Sequence, residues 1–581
     1  MIRSLFVICP TLLIAVLTLY GVGEGEPRAD FRYVNPSEIH TLDPVRMSWT
    51  QDFRVALNIW EGLTVWHPRT TEPIGGAAEF PPHVSADGLT YTFAIREDAR
   101  WSNGDSVTAE DFVRGWRRAM EPGTAADYAF LFTDHIAGAE DYVTFRRQAV
   151  STSMSPDELD QHAAMLDSRF GDVGIDAIND RVLVIRLNNP CPYFLDLTAF
   201  PAFLPCHQSI ELLRERYGNL PTNSRALVVY DTQWTKPDYH RNGYPGLITN
   251  GAYRLADWKF KRRARLEVNP FFREADTIAC RTIDMVVYDN ISAALMAYEA
   301  GDVDFLPAMN VPYDHELARL SRTGERPDFH ICVVLATYFL NFNCTMPVVG
   351  GRPNPFTERA VRRAFSLVVD KDRIVNLVLG RGDRAAYSFV PPDAIPGYDP
   401  PTGLANDTDA ARSMLAEAGY PSGKDFPTVG ILHTQTDERV CQVLARMWEE
   451  TLGVRVELRS KETKTFAEDK ADHRFLIARG NWYGDYSDPT TFLDCLASGN
   501  GNNDSGYANP EYDALLAEAA AATDPADRFA LLRRAEAIIL NDVPILPILH
   551  YAEPIAIKPY VKGLYPNARL WFPFRYVRIE R

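Results

Sequence analysis

Apolar and polar positions alternate along this chain with two periods, every second residue and every third or fourth, and the two keep exchanging places. Phe31-Arg32-Tyr33-Val34 opens as a short strand, and Leu42-Asp43-Pro44 turns away from it. Between residues 53 and 63 the spacing of Val55, Ile59 and Trp60 predicts a helix stopped by Gly62. Residues 89–95 alternate as a half-buried strand; an Asn103-Gly104 turn follows, and Thr108 caps a helix that aligns Phe112 with Trp116. The polar, helix-prone stretch 146–172 reads as an insertion or surface excursion, and 183–187 as a strand stopped by Asn189-Pro190. Residues 220–246 read as loop. Strands are expected after the Thr249–Arg254 turn and at 283–288, with a helix at 293–299 closed by Gly301.

The second half keeps a strand–helix–strand rhythm. Residues 338–342 form a strand, and Thr357 caps a helix that gathers Ala360, Val361, Ala364, Phe365 and Val368 on one face. Residues 429–432 lead into a helix with Val440, Leu444 and Trp448 aligned and Gly453 at its end; Val454, Val456 and Leu458 follow as a strand, and Phe466 sits on a short helix. The apolar run 475–478 reads as a buried strand running into Arg479-Gly480-Asn481-Trp482-Tyr483-Gly484-Asp485. This puts an aromatic pair and a carboxylate just past a strand's carboxyl end, where open α/β sheets bind ligands. The plainer alternative is a loop whose Asp residues cap their neighbours. Pro544, Pro547 and Pro554 are expected to break up the last segment before a strand-like tail at 574–579. Such alternation implies an α/β sheet with helices on both faces.

With 581 residues the chain is long enough for several domains. Its 60 basic and 77 acidic residues leave a formal charge of −17, which argues against nucleic acid as a partner, because phosphates call for clustered Lys and Arg. At the N-terminus Arg3 precedes an apolar run from Leu5 to Tyr20 and then Gly21-Val22-Gly23, the pattern of a secretory signal. Pro10 and the length of the run disfavour a permanent span, which takes about 20 apolar residues, although an uncleaved anchor is the alternative. Cys9 lies inside the run behind bulky residues, unlike a lipid-anchor site. Eight cysteines are too few for a disulfide scaffold; Cys191 and Cys206 are the candidate bridge, against buried free thiols throughout.

Motifs for catalysis are missing. The sequence has neither a phosphate-binding G-x-x-x-x-G-K-[ST] loop nor a G-x-S-x-G elbow, and neither H-E-x-x-H nor a Cys-x-x-Cys pair. Nothing recommends an enzyme, a cofactor or a metal site.

Seven stretches in one order carry a resemblance: 58–63; Phe93 through Trp101-Ser102-Asn103-Gly104-Asp105 to Phe112 and Trp116; Thr249-Asn250-Gly251-Ala252-Tyr253; Asn269-Pro270; 360–372; Ala416-Glu417-Ala418-Gly419-Tyr420; and 479–493. Together they resemble the bacterial extracellular solute-binding proteins of family five, the peptide/nickel class, over nearly the whole mature chain. The resemblance implies a periplasmic-binding-protein-like fold (type II, cluster C), with two lobes, a hinge and an inserted extra domain. Mapped here, residues 1–25 are a signal, 26–62, 189–335 and 553–581 the first lobe, 63–188 the insertion and 336–552 the second lobe. The implied function is a monomeric, extracytoplasmic binder that passes short peptides to the permease subunits of an ABC importer.

In the peptide-binding members of that family an Asp after a W-x-x-D pattern pairs with the peptide's α-ammonium, and Asp485 occupies that place. The resemblance further assigns main-chain pairing to the stretch holding Asn481, Trp482 and Tyr483, a carboxylate-binding or loop-holding role to Arg479, a ligand cover to Tyr128, and a place near the peptide's carboxyl end to Arg439. The chain departs from the pattern at Thr463, where those members have Trp; at Lys470-Ala471, where they have Arg-His; and at Tyr483, where they have Cys. Other solutes (a nickel chelate, a murein peptide, an opine) or a receptor or chaperone without transport are the alternatives, and a secreted peptidase the more remote one.

Overall fold

The computed structural model describes residues 27–151, 154–212, 232–236, 245–307, 314–349, 351–522 and 524–581. The expected signal, and most of the expected loop at 220–246, lie outside them.

Ten strands are labelled in chain order: Phe31–Asn35 (β1), Tyr253–Lys259 (β2), Arg263–Val268 (β3), Thr282–Val287 (β4), Phe305–Leu306 (β5), Phe329–Phe342 (β6), Val429–Thr434 (β7), Val456–Lys461 (β8), Ile477–Tyr483 (β9) and Ile545–Ile557 (β10). Among the described residues they form one mixed sheet in the order β8-β7-β9-β6-β10-β5-β1-β4-β3-β2, with Arg384–Ala385 added beside β10. The long antiparallel pair β6 and β10 belongs to both halves. At one end Phe329 faces Ala556, and β10 continues to β5; at the other Asn341 faces Ile545, and β6 continues to β9. Between these ends the register slips from Val333 opposite Ala552 to Thr337 opposite His550, so three residues of β6 face one of β10.

Each half has its own apolar core. One gathers Phe31, Tyr33, Val55, Ile59, Tyr253 and Phe574 and continues without a break into Phe93, Trp101, Phe112 and Trp116 of the segment expected to be inserted. There a four-stranded antiparallel sheet (His83–Val84, Thr90–Ala94, Val182–Arg186, Ile175–Asn179) packs with the helix Ala109–Ala119, which starts in a Thr108–Asp111 capping box. The other half packs Phe356, Phe365 and Trp448 around β7 and β9, with a neighbouring cluster around Phe389, Phe492 and Tyr512. Among the described residues no helix is long and apolar enough to cross a membrane.

Several expectations are corrected. The helix beginning near Thr357 runs Arg359–Val368 with Glu358 at its cap, because Asn354 first turns 355–357 into a 3₁₀ segment. The three prolines do not fragment the last segment: Pro544 precedes β10, Pro547 sits at a second register slip and Pro554 lies beyond the two residues paired with β5. Cys191 and Cys206 are buried free thiols, and no bridge joins them.

Candidate functional site

The strand expected to end at Ala478 continues to Tyr483, because Ala336 to Phe342 of β6 pair with it throughout. Arg479, Asn481, Trp482 and Tyr483 are therefore strand residues, and only Gly484 and Asp485 lie beyond its end. Gly480 is required there: a Cβ would stand 2.5 Å from the Phe339 ring and 2.8 Å from Asn341 Nδ2. On its other edge β9 pairs with β7 only at Ile477 and Ala478. Among the described residues, then, no strand neighbours 479–483 on that side.

After the strand, Gly484 N donates to the Leu335 carbonyl (2.8 Å) and Asp485 N to Thr491 Oγ1 (3.0 Å). Leu335 belongs to the irregular stretch of β6, so the turn carrying Asp485 is fastened where the two halves join. A cavity of about 330 Å³ opens here. Tyr483, Gly484 and Asp485 form one wall; Phe53, Arg54, Tyr128 and Phe200 come from the other half, and Arg569 to Trp571 from the chain's end. Its size is at the small end of ligand pockets, about 300–1,000 Å³. Burial alone pushes the Asp485 carboxyl up to about 6. The Tyr128 ring packs edge-on against Phe200 at 4.7 Å, and burial, with Asp485 next in effect, pushes its hydroxyl up to about 12.

Of the residues singled out in the sequence, the cavity brings together Tyr128, Tyr483 and Asp485. Tyr483 is 56% exposed and stacks on Tyr551 at 5.4 Å. Arg479 Nε lies 3.2 Å from Asp437 Oδ2, an ion pair inside the second half. Trp482 packs on the cluster around Phe389 and Phe492, and Asn481 faces Tyr338 across the ladder. Arg439 is exposed in the first turn of the helix Glu438–Leu452, away from the cavity lining. Arg54, Arg569 and Trp571 are cavity residues that the sequence reading missed.

Next to the cavity the halves touch directly. The Tyr193 and Tyr486 rings are stacked, Ser487 N donates to Asp196 Oδ2 (3.0 Å), and Asp196 also accepts from Trp66 Nε1 (2.7 Å) and pairs with Arg569. Among the described residues no group of three or more His, Cys, Asp or Glu side chains is placed to hold a metal ion.

A two-lobed α/β fold with a cavity at the junction of its lobes defines a solute-binding protein, and the comparisons agree. Residues 72–504 match the bacterial extracellular solute-binding proteins, family 5 (Middle), and the chain belongs to that family. The periplasmic oligopeptide-binding protein OppA of Escherichia coli is 30% identical over 541 residues, covering 91% of this chain and 88% of that protein. A probable deoxycholate-binding periplasmic protein of the same organism, YgiS, is 28% identical over 556 residues, covering 92% and 91%. Among solved structures, the unliganded open form of the periplasmic murein tripeptide-binding protein MppA matches with a TM-score of 0.74 at 27% identity, covering 96% of this chain and 98% of that one. These relatives are named as binders, not as enzymes.

Proposed function

We propose that the protein is the extracytoplasmic substrate-binding component of a peptide ABC importer, a monomer that encloses short peptides between its lobes and delivers them to permease subunits. One observation carries this reading: Asp485 presents a desolvated carboxylate without a cation to the cavity, beside the open edge of β9. A peptide supplies both missing partners, an α-ammonium for the carboxylate and an extended main chain for the strand edge. Main-chain pairing reads no side chains, so the carboxylate sets the register. A steroid acid offers Asp485 no cation, which favours a peptide over that alternative.

On this reading Tyr128 covers the ligand's amino end and β9 residues around Asn481, Trp482 and Tyr483 hold its backbone. Arg479 serves through its pair with Asp437, and Arg439 reaches the ligand only in a closed form. Lobe boundaries follow the segments 26–62, 189–335 and 553–581 against 336–552, with 63–188 riding on the first. The mechanism is hinge closure at the β6/β10 slip, with no bond made or broken. Native mass spectrometry of protein expressed with its signal and purified from the periplasm, followed by release and sequencing of bound material, tests the proposal. The expected result is a mixture of short peptides, lost in Asp485→Asn. A single non-peptide mass would refute it.

A further inference from the structure

Two arginines line the cavity, and they are treated differently by their surroundings. Arg569 is neutralised by Asp196 and lies 4.3 Å over the Trp66 ring. Arg54 is on the helix Thr50–Ile59 and only 8% exposed, yet among the described residues it takes part in no ion pair within 4 Å. Its one side-chain acceptor there is the neutral amide oxygen of Asn35, at a long 3.4 Å, and its Nε has no hydrogen-bond partner. Glu553 and the Tyr33 hydroxyl act on it electrostatically, but burial outweighs both and lowers its basicity. An arginine this deep does not escape by losing its proton, so a buried guanidinium with so little compensation calls for an anion.

Resting on the peptide reading above, we infer that Arg54 receives a ligand carboxylate, so that the cavity selects ligands carrying a carboxylate close to their α-ammonium. Asp485 and Arg54 both line the same cavity of about 330 Å³, so one short ligand that pairs with both carries its two charges close together. Two sources supply such a carboxylate: an acidic side chain on the first residue, or the carboxyl terminus of a dipeptide. The preference runs against the rest of the electrostatics. With a formal charge of −17 on the chain and Asp485 in the same cavity, an acidic ligand is disfavoured unless a local cation outweighs both.

Calorimetric titration of ligand-stripped protein with two matched pairs tests this: Glu-Ala-Ala against Gln-Ala-Ala, and Ala-Ala against its carboxamide. The expected result is at least a tenfold preference for the carboxylate member of one pair, and the pair that shows it identifies the source. Arg54→Gln should abolish the preference and Arg54→Lys should retain part of it, a rescue that loss of packing alone does not produce. No preference in the wild-type protein, a comparison that needs no variant, overturns the inference. So does a preference that survives Arg54→Gln. If none of the four ligands binds, the peptide reading falls with it; if all bind equally and Asp485→Asn abolishes binding, only the role of Arg54 is overturned.

Discussion

The rings of Tyr193 and Tyr486 lie parallel, with centroids 4.1 Å apart and planes 5° from each other. Tyr486 directly follows Asp485, while Tyr193 precedes the short helix Phe194–Leu197 packed on the first lobe's core. The stack is thus a clamp between lobes one residue from the proposed ammonium site. A double-mutant cycle with Tyr193→Leu and Tyr486→Leu should show a coupling of about 0.5–1.5 kcal/mol in urea unfolding. Strict additivity would mean that the rings merely share a boundary.

Asp485 is expected to trade stability for binding. Burial raises its carboxyl from an ordinary 3.8 to about 6. Between those pH values the folded chain holds a proton that the unfolded chain has lost, so the unliganded protein loses stability as pH rises through the window. Above it the full cost of the buried charge remains, about 1–3 kcal/mol. Asp485→Asn should therefore stabilise the empty protein by about that amount at pH 7.5 and by almost nothing at pH 3.5. The same substitution should weaken peptide binding by about 2–5 kcal/mol. Denaturant midpoints at the two pH values, with calorimetry at pH 7.5, check both halves.

Behind the clamp, Asp488 and Arg528 form a buried two-pronged pair at 2.5 and 2.9 Å, exposed by only 3% and 2%. Asp488 also accepts from Thr490 N and Oγ1, at 3.0 and 2.7 Å. Removing one partner strands the other, so Asp488→Asn should cost about 3–5 kcal/mol. Replacing both with Leu and Met should cost clearly less, as read from urea midpoints. Equal losses in the single and double variants would contradict this.

A Cβ at Gly480 collides with the Phe339 ring where β9 crosses it. Gly480→Ala should lower stability by about 1–3 kcal/mol through overpacking. Phe339→Leu in the same chain should recover part of that loss, and thermal melts of the three variants decide it.

Period-two strands such as Thr90–Ala94 and the Thr108 helix cap were legible because local pattern alone determines them. The extent of β6 and β10 was not. Residues 329–337 carry no alternation, since most of that strand is buried on both faces, and the prolines of β10 are tolerated only because a register slip and a short neighbour free their positions. At the site, the W-x-x-D stretch pointed to Asp485 directly. Arg54 gave a fainter signal: it sits beside Val55 and four residues before Asn58, on the helix face that proves to be buried. Arg569 and Trp571 reach the cavity from more than 500 residues beyond Arg54 and more than 80 beyond Asp485, with no local pattern to announce them.

With closure at the slip in the β6/β10 ladder, as proposed, that slip also determines where movement is felt. Leu335 lies inside the slip, borders the cavity and fastens the Asp485 turn through Gly484, so the proposed ammonium site stands close to the proposed fulcrum. Near a fulcrum displacement is small, while the outer rims sweep the largest arc. On that reading contact with the amino end requires little travel, while one rotation swings residues remote from the axis through the greatest distance. Optical reporters of closure belong on those rims; beside Asp485 they would sense occupancy and almost no motion.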